Sequence, residues 1–126
     1  MLKWDQADLV SFFGVVPTYN DDACSHSFEL DRDGLKLLLT IFDLEGAVFV
    51  GIFRDGLPAP IIMIQRELCT HAHINSGRDL RRCFEAGTPE QPVTNMGIPP
   101  VLVRGFRVYV EPHFQIELIE SRFGSI

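Results

Sequence analysis

Cationic side chains are scarce in this sequence: 11 Lys and Arg stand against 17 Asp and Glu, a formal net charge of −6 with His neutral. Such a balance repels phosphate backbones, so nucleic-acid binding would require a strong local basic patch. The only cluster of that sign, Arg78, Arg81 and Arg82, is interleaved with Asp79 and Glu85, the pattern of ion pairs on a solvated face. No nucleic-acid partner is therefore expected. Long apolar runs are missing too. The longest, 47–53 and 60–64, fall far short of the ~20 residues that a membrane-crossing helix needs. The opening Met1-Leu2-Lys3-Trp4-Asp5 lacks a secretory apolar core, so no membrane association and a cytoplasmic location are expected.

Cysteine is limited to Cys24, Cys69 and Cys83, an odd set that cannot all pair, and reduced thiols are expected. Neither Gly-x-x-x-x-Gly-Lys nor Gly-x-Gly-x-x-Gly occurs, which removes the usual phosphate cradles. Gly-x-Ser-x-Gly is absent as well, leaving no hydrolase elbow.

What the chain does contain is an ordinary globular composition, 46% hydrophobic and 22% charged over 126 residues. A single domain over 1–126 is expected, long enough to bury roughly two thirds of its unfolded surface. Asp5 ahead of Ala7-Asp8-Leu9-Val10 and Phe12-Phe13, with Gly14 as a stop, predicts a short N-terminal helix within 4–14. Residues 17–22 form a polar connector. From 27 to 75, Asp33-Gly34, Gly46 and Asp55-Gly56 punctuate apolar runs at short intervals, which predicts hairpins in series. A Pro- and Gly-rich loop is expected over 87–100 and C-terminal strands over 101–120. The fold class is thus mainly β, an antiparallel meander forming a two-layer, sandwich-like domain with one short helix.

Runs 35–42 and 47–53 carry apolar residues on both faces, as strands covered on two sides do. The expected cover is a second sheet, the helix or a second copy of the chain. Phe12, Phe13, Phe28, Phe42, Phe49 and Phe53 are expected to fill the core.

Three constellations carry chemistry. Strand alternation over Cys69-Thr70-His71-Ala72-His73 would put a sulfur and two imidazoles on one face, a zinc-type ligand set whose fourth member would be His113, Cys83, His26 or Asp79. Cys69 beside His71, or Cys83 beside Arg82, are candidate nucleophiles, although alternation turns Arg82 away from Cys83. The amphipathic aromatics Trp4, Tyr19 and Tyr109, near Asp8, Asp21 and Asp22, are candidate anchors for a protein partner. Carboxylates at Asp31, Asp33, Asp43 and Glu45 fall in predicted turns, where backbone hydrogen bonding is their ordinary role.

With zinc as the alternative and no cofactor otherwise expected, the balance favours a non-catalytic protein that binds another protein or its own copy. An inhibitor, an immunity-type factor or an accessory subunit would have this size and charge. The runner-up is a metal-binding protein or small metal-dependent enzyme built on the Cys-x-His-x-His strand face.

Overall fold

The computed structural model describes residues 2–89 and 101–120. Helix α1 spans Gln6–Phe13; the Asp5 carboxylate accepts the Asp8 N–H at 3.0 Å, and Gly14, in the left-handed region, donates its N–H to the Val10 carbonyl. Leu9 and Phe13, one turn apart, are its buried residues. Because Asp5 satisfies an otherwise orphaned donor in a helix of only about two turns, Asp5→Ala should cost about 1 kcal/mol in urea unfolding.

Five strands follow the helix: β1 Thr18–Asn20, β2 Ser25–Arg32, β3 Leu35–Phe42, β4 Ala47–Arg54 and β5 Ile62–Arg66. They pair antiparallel in chain order as the first sheet. Asp33 and Gly34, at φ 52° and 78°, make the two-residue turn between β2 and β3, with Arg32 opposite Leu35. Both central residues need positive φ in such a turn, which is why Asp-Gly is found there. Strand β1 lies where a connector was expected. All three of its residues are exposed, so it leaves no hydrophobic periodicity to read and is held by backbone pairing with β2.

The expected meander over 27–75 divides at 67–70. Leu68 turns into the left-handed region at φ 58°, and successive amides then bond to different sheets: Cys69 N–H to Gly46 O at 2.8 Å, Thr70 N–H to Gly87 O at 3.0 Å. The next strand, β6 (His71–Ser76), therefore opens a second antiparallel sheet with β7 (Arg82–Pro89), β8 (Leu102–Tyr109) and β9 (Gln115–Glu120), again in chain order. Of the expected loop over 87–100, residues 87–89 continue β7, and 90–100 lie outside the described residues.

The two sheets bury one continuous core between them. The first contributes Phe28, Leu37, Leu39, Ile41, Val48 and Val50; the second, Ala72, Phe84, Ala86, Phe106 and Val108. Helix α1 joins both layers, with the Phe13 ring 5.3 Å from Phe28 and 5.9 Å from Phe84. The architecture is a two-layer β-sandwich with one short helix, as the turn spacing predicts.

One expectation about burial is corrected. Phe42 alternates against Leu37, Leu39 and Ile41 on β3, and Phe49 and Phe53 against Val48, Val50 and Ile52 on β4, so all three sit on the outer face, only partly buried, instead of filling the core. The Phe49 and Phe53 rings close over Gly51, where an added Cβ would lie 2.9 Å from Phe49 Cζ and 3.0 Å from Phe53 Cε1. A glycine between two phenylalanines lets the strand shelter part of its own outer face.

Candidate protein interface

Residues 2–4 run beside the second sheet before entering α1. Lys3 donates to Thr70 O at 2.9 Å and accepts from Ala72 N–H at 3.0 Å, a parallel bridge to His71. That anchorage aims Trp4 at the first sheet, where its indole N–H donates to Asp43 Oδ1 at 2.9 Å. The other Asp43 oxygen, Oδ2, meets His26 Nδ1 at 2.9 Å. The indole packs edge-on against the His26 ring at 4.9 Å, and Tyr19 lies 4.8 Å from His26. Trp4, His26 and Tyr19 thus form an aromatic row pinned by one carboxylate.

Strand register places acidic turns around this row. Ser25 opposite Phe42 brings the loop after β1 against the turn after β3, and Asp43 N–H donates to Cys24 O at 3.0 Å. Within the loop, Asn20 Oδ1 accepts from Ala23 N–H at 3.1 Å, so backbone needs are met locally and the Asp21 and Asp22 side chains point outward, exposed. Glu45 in the neighbouring turn is exposed as well. Tyr19, half exposed, has its phenol pKa raised by neighbouring Cys24, slight burial and the charges of Asp21 and Asp43. The charge is segregated along the chain: residues 1–45 hold nine carboxylates against three cationic side chains, which is the entire −6, and residues 46–126 hold eight of each.

Of the residues expected to anchor a partner, Trp4, Tyr19, Asp21 and Asp22 come together here. Asp8 is exposed on the first turn of α1, where its N–H serves the cap. Tyr109 is a correction. It is fully buried on the outer side of β8, with the Arg81 guanidinium 4.3 Å above its ring and Gly77 against its hydroxyl, so it presents no surface to a partner. Alternation alone places it outward; the turn at 77–81 folding over that side is what covers it. His26 and Asp43 are the members whose roles sequence reasoning missed. Asp43 bonds side chains instead of closing its turn, a link of 39 positions to Trp4 that no local pattern encodes.

The Cys-x-His-x-His constellation is not assembled as alternation predicts, because the left-handed Leu68 and the change of sheet put Cys69 before the strand begins. Cys69 is buried with its thiol on Arg66 O at 3.5 Å, and burial pushes its pKa up to about 11. His71 Nδ1 lies 2.9 Å from Thr70 Oγ1, and burial lowers its pKa. His73 Nε2 lies 3.0 Å from Glu85 Oε1, and His113 sits on the exposed segment between β8 and β9. Among the described residues, no three His, Cys, Asp or Glu side chains gather as a metal-binding group. Burial also raises Cys83, to about 12, so neither buried thiol has nucleophile character at neutral pH. In native protein at pH 8 a thiol reagent should titrate Cys24 quickly and Cys69 and Cys83 only on unfolding; three fast equivalents would contradict the burial.

The outer face of the second sheet carries one further polar constellation. His73, Glu85, Arg107 and Glu117 are successive cross-strand partners over β6, β7, β8 and β9. Glu85 Oε1 accepts from Asn75 Nδ2 at 3.1 Å, and Oε2 from Arg107 Nε at 2.6 Å; Arg107 Nη1 donates to Glu117 Oε1 at 2.7 Å. The Glu85 side chain is 3% exposed. Burial alone would raise its pKa, but the hydrogen bonds from His73, Arg107 and Asn75, with the Arg107 charge, hold it down to about 2.

No protein-family model matches the chain, and no curated protein matches it in sequence. Its fold is shared with a solved structure. A chain of the contact-dependent growth inhibition toxin - immunity protein complex from Klebsiella pneumoniae 342 is similar with a TM-score of 0.69 and 17% identity, over 93% of this chain and 94% of that one. Coverage this complete in both directions means that both sheets are shared. Among the described residues, no helix is long and apolar enough to cross a membrane.

Proposed function

We propose that this chain acts by binding a basic protein in the cytoplasm, as an immunity-type inhibitor or accessory factor without catalytic activity of its own. The acidic turns around Trp4 and Tyr19 form the contact surface. The observation that carries this reading is that Asp21, Asp22 and Glu45 stand exposed at one end of the first sheet around a half-exposed tyrosine. Like charges gathered on one surface raise the local concentration and the encounter rate of an oppositely charged partner. Half-buried aromatics inside that field supply the desolvated anchors that hold it. The similarity in fold to a chain taken from a two-protein complex supports a binding role, and the acidic sign favours a basic partner.

The test is affinity capture by wild-type chain and two variants with the same charge change. Asp22→Lys alters the acidic turns, whereas Asp55→Lys lies at the other end of β4. A basic protein recovered in stoichiometric amount by wild type and Asp55→Lys, and at least about tenfold less by Asp22→Lys at low salt, is the expected result. Equal capture by both variants would overturn the surface, and measurable turnover by purified chain with no captured partner would overturn the binding role.

A further inference from the structure

Away from the acidic turns, a cavity of about 650 Å³ opens between the C-terminal end of α1, the end of β2 and the beginning of β7, lined by Phe12, Phe13, Leu30, Arg32, Arg81 and Arg82 among others. Its charge is not balanced internally. Arg32 donates to Val110 O and, at 2.6 Å, to Glu111 Oε1, and it is the only one of the three arginines with a carboxylate partner among the described residues. Arg81 spreads its guanidinium over Tyr109 and donates Nη2 to the neutral Gln115 Oε1 at 3.2 Å, while its Nε is buried with no hydrogen-bond partner. Arg82 is exposed at the rim. A guanidinium presents its donors in a fork matched to an oxyanion, and Arg81 and Arg82 bring two of them to the lining of this cavity. The carbonyl end of α1 also faces this region, but its partial charge of about half a unit is small beside two uncompensated full charges.

We propose that this cavity binds an organic carboxylate with an apolar or aromatic body, the carboxylate held by Arg81 and Arg82 and the body against Phe12, Phe13 and Leu30. Phe13 and Leu30 are nearly buried and Phe12 partly so, which supplies an apolar wall beside the charged one. The volume is that of a pocket for a small organic ligand, and the mixture of apolar lining with a few convergent polar groups is the arrangement such ligands require. The site is separate from the acidic turns, so it stands or falls independently of the protein-binding reading.

The probe is 2-naphthoate, titrated into the isotope-labelled full chain and followed by amide chemical shifts, with 2-naphthamide and inorganic phosphate as comparisons. Binding with Kd below about 1 mM, centred on Gly14 and Arg82, is expected, with both comparison compounds at least about tenfold weaker. Arg82→Gln, an exposed position whose change should leave the melting temperature unaltered, should weaken naphthoate by about tenfold. Arg81→Gln should do the same if it folds; Arg82→Gln decides the matter if it does not. Several results would overturn the site: equal affinity for the naphthamide, phosphate binding as tightly as naphthoate, shifts centred elsewhere, no effect of Arg82→Gln, or no saturation by about 10 mM.

Discussion

Glu85→Ala should lower the unfolding free energy by about 3 kcal/mol at pH 7, because it removes the acceptor shared by three side chains and leaves Arg107 with only Glu117. Breaking a buried pair costs more than the pair contributes, since the surviving partner stays desolvated without compensation. Glu85→Gln keeps the shape and an acceptor oxygen but removes the charge, and should cost nearly as much, about 2–3 kcal/mol. Urea unfolding of the three proteins measures both values, and a loss below about 1 kcal/mol in Glu85→Ala would mean that the ladder adds little to stability.

The same carboxylate sets an acid dependence with a definite sign. Its pKa is about 2 in the folded chain against 4.5 for an ordinary glutamate. A depressed carboxylate binds its proton more readily when unfolded, so its contribution is fully present above about pH 4.5 and is lost as the pH falls towards 2, a range corresponding to roughly 3 kcal/mol. Wild type should therefore lose more stability than Glu85→Gln between pH 5 and pH 2, with the two curves converging in acid. Parallel curves would place the acid sensitivity in other carboxylates.

Gly105→Ala should be still more damaging, lowering the melting temperature by about 15 °C or more, or preventing accumulation of folded protein. Gly87 and Gly105 face each other across β7 and β8, and a Cβ at Gly105 would run into the carbonyl oxygen of Ala86, just as one at Gly87 would meet that of Arg104. These obstacles are backbone atoms, so only separating the strands relieves them, at the expense of the central pairing of the second sheet. Gly56→Ala is the control: it shares a positive φ of 85° but has no atom within 4 Å of the added carbon, and should cost only about 1 kcal/mol. A Gly105→Ala melting temperature within about 3 °C of wild type would show that the strands have room to spare.

Local chemistry was legible in the sequence wherever a residue acts on its immediate neighbours. Asp5 and Gly14 bound the helix because each satisfies backbone groups within one turn. Asp33-Gly34 turns the chain because both positions need positive φ. Strand β7 was harder to read, since Glu85 and Gly87 interrupt its apolar run. The glutamate is accommodated only because Arg107 and His73 arrive from the strands on either side.

The same distinction runs through the candidate sites. Trp4, Tyr19, Asp21 and Asp22 were recognisable as amphipathic aromatics among carboxylates, but their meeting depends on Asp43 and His26, brought in by the register of β2 on β3. The Cys69, His71 and His73 alternation fails because Leu68 leaves the extended region and the chain changes sheets at the next two amides. Tyr109 shows the converse, a correctly outward side chain buried by a turn packing over it. Residue periodicity, turn chemistry and charge, all acting over a few positions, determined the all-β class, the helix and the acidic character. Only the tertiary structure decided where the meander divides, which polar groups share a partner and which face stays open, because those depend on contacts between residues far apart in the chain.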